Sequence, residues 1–299
     1  MKPSPFTYHR PAALDEALAV LAEVGDDGKV LAGGQSLLPI LSMRLAAPGH
    51  LVDINRLSEL DYLRSAPDGV RVGAVVRHAG LERDARARRA QPLLGRALRH
   101  VAHPTIRNRG TAVGSLVHAD PSGELTAVLA LTGGSVAVAS ASGRRTVPAG
   151  EFFLGPLESA VQPGELAIEA FFPALPPGTG TAFVEVARRH GDYAVCGVAA
   201  AVTLDADGEV SAARAAYISM APVPAVLDLP QPDGDPGDPT SWQAAGEHAA
   251  GRLDPEADIH ASAEYRSQLG RVLTTRALAE ATANARSARA RSASVGGAG

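Results

Sequence analysis

The stretch LAGGQSLLPIL, residues 31–41, separates two apolar runs by two glycines, a glutamine and a serine. It follows a segment whose Ala, Leu and Val recur at helical spacing, which predicts a helix over residues 12–24 and then a short buried strand. The glycine pair has two interpretations. It forms a tight turn that needs positive φ, or it leaves backbone N–H groups exposed for an anion such as a pyrophosphate, with the Gln and Ser side chains as further donors. The stretch alone leaves both open, and it is not the G-x-G-x-x-G dinucleotide fingerprint.

The composition of the 299-residue chain is that of a globular protein, with 45% apolar and 20% charged residues and room for two or three domains. Its net charge of −4 and scattered arginines argue against a nucleic-acid partner. Cys196 is the only cysteine, which excludes an internal disulfide and an iron–sulfur cluster held by this chain alone. No apolar run reaches the roughly 18 residues of a transmembrane segment. The N-terminus lacks the apolar core of a signal peptide, so we expect a cytoplasmic protein.

Further along, the pattern predicts strands and helices in alternation and a change of architecture near residue 176. Strands are expected at HLVDINRL and over residues 70–75, and alternating residues predict a hairpin over 134–153. After a Pro/Gly-rich connector, three antiparallel strands and two helices are expected, with an Asp-Gly turn between the second and third strands. The final residues, 285–299, are poor in apolar side chains and are predicted to be disordered.

A second segment rich in glycine and hydroxyl side chains is TIRNRGTAVGSLVHADPSGEL, residues 105–125. It contains Thr111, Gly114 and Ser115, and the acidic Glu124 follows. Both glycine segments are bounded by apolar runs. We therefore expect them to clamp one phosphate-bearing cofactor from two subdomains.

Four separated motifs resemble, in the right order, the FAD-binding medium subunit of the molybdenum hydroxylases, the group of carbon monoxide dehydrogenase and xanthine dehydrogenase. LAGGQSLLPILSMRLAAPGHLVDINRL resembles that family's first FAD segment, and HPTIRNRGTAVGSLVHADPSGEL resembles its second. RRHGDYAVCGVAAAV is similar to the start of its C-terminal domain, and DIHASAEYRSQLGRVLTTRAL is similar to its closing helix. The resemblance extends over about residues 3–282.

The resemblance implies an α+β fold. Its first part would be the two-subdomain FAD-binding fold of the vanillyl-alcohol oxidase (PCMH) type. A C-terminal α+β domain would follow, with a three-stranded antiparallel sheet and helices. We therefore expect an N-terminal FAD-binding subdomain over residues 1–55, a middle FAD-binding subdomain over 56–176, a C-terminal domain over 177–284 and the disordered tail over 285–299.

The resemblance also implies that the cofactor is FAD. Backbone N–H groups from Ala32 to Leu37 would surround its pyrophosphate, Glu124 would accept a hydrogen bond from a ribose or ribityl hydroxyl, and Tyr193 would lie near the isoalloxazine ring. No residue is expected to be catalytic, because the flavin carries the redox chemistry. The full set of expected cofactor-binding residues is Lys29, Ala32, Gly33, Gly34, Gln35, Ser36, Leu37, Ile106, Thr111, Gly114, Ser115, Glu124 and Tyr193.

The sequence departs from the family pattern at one position. The second motif usually reads Thr-x-Gly-Gly, and here it reads Thr111-Ala112-Val113-Gly114. Valine is β-branched and disfavours positive φ. If the glycine of the relatives allows close approach, we expect Val113 to alter or weaken FAD binding.

Family members are parts of larger complexes, and the resemblance implies the same here. A large molybdenum–pterin partner would oxidise the substrate, and a small partner with [2Fe–2S] clusters would pass the electrons to FAD in this chain and on to an external acceptor. An (αβγ)2 assembly is expected. One alternative is a stand-alone FAD-dependent oxidoreductase of the same superfamily, similar to UDP-N-acetylmuramate dehydrogenase. Another is a scaffold subunit that has lost FAD, for which Val113 is the only indication.

Other chemistries have weaker support in the sequence. Histidines 103, 118 and 190 lie on separate segments and lack the spacing of a site such as H-E-x-x-H, so no metal site is expected. Neither serine of the glycine segments lies in the G-x-S-x-G elbow of a hydrolase nucleophile.

Overall fold

The computed structural model describes residues 2–296, with side chains to residue 291, and alternates short strands with helices. The strands are β1 (Thr7–His9), β2 (Gly28–Leu31), β3 (His50–Asp53), β4 (Leu63–Ala66), β5 (Gly69–Gly73), β6 (Ser135–Ser140), β7 (Gly143–Pro148), β8 (Phe153–Gly155), β9 (Glu158–Ser159), β10 (Leu166–Pro173), β11 (Thr179–Ala187), β12 (Ala194–Leu204), β13 (Val210–Ile218) and β14 (Ala225–Asp228). The helices are α1 (Leu14–Val24), α2 (Leu37–Ser42), α3 (His78–Arg83), α4 (Ala85–Ala90), α5 (Pro92–Leu98), α6 (Pro104–Arg107), α7 (Ala112–His118), α8 (Glu124–Thr132), α9 (Ala149–Phe152), α10 (Gln243–Arg252) and α11 (Ala263–Gly296). The mixed content agrees with the predicted α+β class. No helix in this part of the chain is long and apolar enough to cross a bilayer.

The chain divides into two compact units that each draw on separated segments. The first contains residues 1–90, 103–120 and 133–173, and the second contains residues 91–102, 121–132 and 174–299. The expected middle subdomain, 56–176, is therefore divided between the units, because α5 and α8 belong to the second. The expected subdomain boundary at residue 55 falls inside the first unit.

The first unit contains two larger sheets and the two-stranded antiparallel sheet of β8 and β9. Strands β1, β3 and β2 form a parallel sheet in that order, and β4, β5, β10, β6 and β7 form an antiparallel one. Helix α1 buries Leu14, Ala17, Leu18 and Leu21, the 3–4 spacing from which it was predicted, and Gly25 with φ of +53° ends it. The chain then enters β2, which leads directly into the first glycine segment. The predicted helix and strands of this region are confirmed, although β3 ends at Asp53, four residues before the end of HLVDINRL. The predicted hairpin is β6 and β7, and α9 takes up most of the rest of the expected range 134–153.

The second unit is an antiparallel sheet, β11–β12–β13–β14, with helices packed on it. Cys196, Val198, Ala200 and Val202 of β12 share a buried cluster with residues of α10 and α11, while α8 also packs on β12 and β13. Because the central strand is covered on both faces, it is nearly all buried and reads as a continuous apolar run.

Two predictions for this unit were wrong. The sheet has four strands, not three, because β14 (Ala225–Asp228) adds to β13. Prolines at 222, 224 and 230 flank this short strand, and this pattern predicts a loop.

The predicted disordered tail is also wrong as far as the structure describes it, since α11 continues to Gly296; residues 297–299 lie outside the described part. Alanine and arginine are strong helix formers although this segment is not apolar. Ala285 is buried, Arg286 pairs with Asp235 at 2.8 Å, and Arg289 donates to the carbonyl oxygen of Asp205 at 2.8 Å.

Candidate functional site

The two glycine segments meet inside the first unit. A Cβ on Gly33 would lie 2.6 Å from the carbonyl oxygen of Arg109 and 2.7 Å from the Cα of Gly110. A Cβ on Gly114 would lie 3.9 Å from the Cβ of Ala32. Only glycine therefore fits at position 33. Its missing side chain allows the backbone of the second segment to pack closely against it.

The first segment has a backbone suited to an anion. Gly34 has φ of +71°, so the turn interpretation is correct at that residue. The Gln35 side chain donates to the carbonyl oxygen of Gly33 at 3.0 Å, which stabilises the turn. Within the described residues, the backbone N–H groups of residues 33–36 donate to no protein acceptor. Four neighbouring unused donors are a feature of anion-binding loops.

The second segment turns into α7. The carbonyl oxygen of Ile106 accepts hydrogen bonds from the N–H groups of Arg109 and Gly110, which closes the turn after α6. The hydroxyl of Thr111 then caps α7 by accepting from the N–H of Gly114 at 3.2 Å. A Cβ on Gly114 would lie 2.5 Å from that hydroxyl oxygen, so a larger residue there would force the Thr111 side chain to shift. Thr111 retains its own proton for donation.

Two residues that the sequence analysis missed link the segments. The Asn55 amide donates to the carbonyl oxygen of Ala32 at 2.8 Å, and its side-chain oxygen accepts from the Arg77 guanidinium. Arg77 also donates to the carbonyl oxygen of Arg109. Burial, and then the charge of Arg109, lower the pKa of Arg77, but arginine stays protonated in proteins. A fixed positive charge is thus held behind the two segments.

Asp53 supports this link from β3. Its carboxylate accepts from the Asn55 amide at 2.6 Å and from the Tyr8 hydroxyl. Partial burial acts to raise the pKa of Asp53, but the hydrogen bonds from Tyr8 and Asn55 outweigh it and lower that pKa. The carboxylate is therefore ionised at neutral pH and holds Asn55 in place.

His78, at the start of α3, lies behind the second segment with 3% of its surface exposed. Its Nε2 is 3.0 Å from the Ser115 hydroxyl, and its backbone N–H donates to the carbonyl oxygen of Gly110 at 2.9 Å. Burial, with a smaller contribution from the charge of Arg107, lowers the pKa of His78 to about 4, although a hydrogen bond with the Thr111 backbone acts to raise it. The ring is therefore neutral at physiological pH.

Val113 lies in the first turn of α7 and is 2% exposed. Its backbone is helical, and it is not among the residues with positive φ. The side chain therefore packs into the interior of the unit, where α7 contacts β5 and β10. The expected conflict between valine and positive φ does not occur at this position.

Three expected site residues lie on other elements. Lys29 is exposed on β2. Glu124 begins α8 and Tyr193, 68% exposed, precedes β12; both belong to the second unit. As for metals, the described residues include no cluster of three or more His, Cys, Asp or Glu side chains that could hold an ion.

Comparisons with known proteins cover nearly the whole chain. Residues 4–175 match the family model "FAD binding domain in molybdopterin dehydrogenase", and residues 181–281 match "CO dehydrogenase flavoprotein C-terminal domain". The 6-hydroxypseudooxynicotine dehydrogenase complex subunit alpha of Paenarthrobacter nicotinovorans is 41% identical over 96% of this chain and 97% of its own length. The caffeine dehydrogenase subunit beta of Pseudomonas sp. CBB1 is 39% identical over 94% and 96%.

A solved structure also shares the fold of this chain. It is a carbon monoxide dehydrogenase from Hydrogenophaga pseudoflava that lacks the Mo-pyranopterin moiety of its molybdenum cofactor. One of its chains has a TM-score of 0.86 and 34% identity, covering 95% of this chain and 99% of that one. Motif order, fold and sequence identity agree along nearly the whole chain. The chain therefore belongs to the family of FAD-binding subunits of the molybdopterin dehydrogenases, as the carbon monoxide dehydrogenase medium chains do.

Proposed function

We propose that this chain is the FAD-binding electron-transfer subunit of a heteromeric molybdenum hydroxylase. The observation that carries the proposal is the junction of the two glycine segments, where residues 33–36 have four unused backbone N–H groups beside the cap of α7. A diphosphate has enough oxygens to accept from all of them. Arg77 adds a nearby positive charge that favours an anion.

In this proposal, the backbone from Ala32 to Leu37 surrounds the pyrophosphate, and Thr111 and Ser115 donate their hydroxyl protons to it. Gly114 keeps the α7 cap in shape, and Ile106 closes the turn before it. Lys29 offsets phosphate charge, Glu124 accepts from a sugar hydroxyl and Tyr193 lies near the isoalloxazine. Bound FAD supplies the capacity to take up and release electrons. The residues of this chain bind it and set its electrostatic surroundings.

The division of labour between subunits follows from the chemistry of the chain. Cys196 is its only cysteine and is fully buried, so iron–sulfur clusters must be held by a partner. We propose a small [2Fe–2S] partner as electron donor and a large molybdenum–pterin partner as the site of substrate oxidation, assembled as (αβγ)2 in the cytoplasm. We propose that the first unit adopts the PCMH-type FAD-binding fold. The relatives are named for substrates as different as caffeine and carbon monoxide, so the proposal concerns only the flavin half of the reaction.

The two alternatives have less support. A stand-alone flavoenzyme is at odds with the relatives, which are named as subunits of complexes. A scaffold without FAD had Val113 as its only indication, and the burial of that side chain in α7 removes it.

The decisive experiment is the visible absorption spectrum of the purified full chain, with and without added FAD, followed by identification of the flavin released on denaturation. We expect a two-banded flavin spectrum and non-covalent FAD. Co-expression with molybdenum and iron–sulfur subunits of the same family then tests assembly. The proposal would be wrong if neither the isolated chain nor the co-purified complex contained flavin. Substrate oxidation by the isolated chain would favour the stand-alone enzyme.

A further inference from the structure

His78 holds the second glycine segment at two points, although no sequence motif includes it. Its backbone N–H donates to the carbonyl oxygen of Gly110, and its Nε2 is 3.0 Å from the Ser115 hydroxyl oxygen. A Cβ on Gly110 would lie 2.9 Å from the ring Nδ1, so the imidazole packs directly on the backbone of the segment. Gly110 itself is packed against Gly33 of the first segment. The ring thus lies behind both halves of the candidate pyrophosphate site.

The position of the imidazole proton follows from its partners. Nδ1 is buried and has no hydrogen-bond partner among the described residues. A proton on Nδ1 would be a buried donor without an acceptor, which is unfavourable. A proton on Nε2 can be donated to the Ser115 oxygen. The second arrangement leaves the hydroxyl proton of Ser115 free for another acceptor.

We propose that His78 is a positioning residue for FAD, which donates from Nε2 to Ser115 and thereby directs the Ser115 hydroxyl proton toward a cofactor phosphate. The inference rests on the proposed function, because it needs a bound FAD. It adds a residue that does not touch the cofactor and acts through Ser115. Burial keeps the imidazole in its neutral form at physiological pH, so a single tautomer serves throughout that range.

Two amide variants separate this role from simple packing. Glutamine can place an N–H donor near the position of Nε2, so His78→Gln should retain the bond to Ser115. Asparagine is too short to reach that position, so His78→Asn should lose it. We expect His78→Asn to weaken FAD affinity about tenfold, the typical effect of losing a hydrogen bond to a charged group. We expect His78→Gln to remain within about threefold of the wild type. Far-UV circular dichroism and thermal unfolding of the full chain establish that each variant is folded.

A double-mutant cycle with Ser115→Ala supplies the readout that packing alone would not change. If His78 acts through Ser115, His78→Asn has no further effect on the dissociation constant of FAD once Ser115 is alanine. Nitrogen-15 chemical shifts of the imidazole, assigned by their loss in His78→Gln, test the tautomer without FAD. A protonated Nε2 is expected.

Several results would overturn the inference. One is a wild-type chain that binds FAD while His78→Asn binds it equally well. Another is an effect of His78→Asn that is the same in both Ser115 backgrounds, which would indicate packing only. A protonated Nδ1 would also exclude it. A wild-type chain and complex without FAD would instead refute the proposed function, and the two failures are therefore distinguishable.

Discussion

Replacing Val113 by glycine, which restores the usual family motif, tests whether the valine hinders the cofactor or supports the fold. The side chain is 2% exposed in the first turn of α7. Removing its three carbons forfeits about 0.8 kcal/mol for each buried group, or about 2.4 kcal/mol. Glycine costs about 0.4 kcal/mol more than valine in a helix. We therefore expect Val113→Gly to lower the free energy of unfolding by about 3 kcal/mol, and by more if the cavity does not collapse.

The assay combines urea unfolding, followed by circular dichroism, with FAD titration of the folded protein. For a unit of this size, the loss corresponds to a fall in Tm of about 6–12 °C. The matched control is Val113→Ala, which keeps the Cβ and has the higher helix propensity of alanine, and it should lose about a third as much. The dissociation constant of FAD should change less than twofold in both variants. If Val113→Gly bound FAD at least tenfold more tightly without losing stability, the valine would lie in the cofactor site and the reasoning from burial would be wrong.

Three further predictions test other features of the chain. Gly33→Ala should abolish FAD binding, because its Cβ would lie 2.6 Å from the carbonyl oxygen of Arg109; Gly80→Ala, with nothing within 4 Å, is the control and should bind FAD normally. The pKa of His78 is lowered in the folded state, so the unfolded chain binds the proton first and stability falls as the pH drops below 6.5 toward 4. Urea unfolding at pH 7 and 4.5 should show about 2–3 kcal/mol of loss that His78→Gln lacks; equal losses would contradict the assignment. Truncation after residue 284 removes the buried Ala285 and two arginine contacts and should cost about 2 kcal/mol; an unchanged unfolding midpoint would show that the end of α11 contributes nothing.

The glycine segments could be recognised in the sequence because they combine glycines with hydroxyl and amide side chains. Packing alone rarely brings these residue types together. Gly33 and Gly114 interrupt or follow apolar runs, and their neighbours carry hydroxyl or amide groups. That pattern predicted that the two segments clamp one cofactor, and in the structure Gly33 packs directly on Arg109 and Gly110 of the second segment. The pattern did not predict what packs against Gly33. The space beside Gly33 is filled by the backbone of the second glycine segment.

The supporting residues could not be found in the same way. Asn55 and Arg77 are ordinary polar residues between a strand and a helix, and only the pairing of β3 with β2 brings Asn55 to Ala32. His78 begins a helix with no local signal for a buried ring. Hydrogen bonds across 20 or more residues depend on the folded chain, and a single sequence carries no record of them.

The order of segments along the chain has a consequence for how the protein is made. The loop that contains Thr111 lies in the sequence between residues 91–102 and residues 121–132. Both of these segments belong to the second unit, with the C-terminal part of the chain. When a ribosome has released only residues 1–175, the apolar sides of α5 and α8 still lack β11 and β13, on which they pack. The N-terminal portion is then an incomplete folding unit with exposed apolar helices. The boundary between the two matched family regions is therefore a poor point at which to divide the chain. A fragment that ends at residue 175 should not be an independently stable flavin-binding module, whether it is expressed alone or joined to another protein.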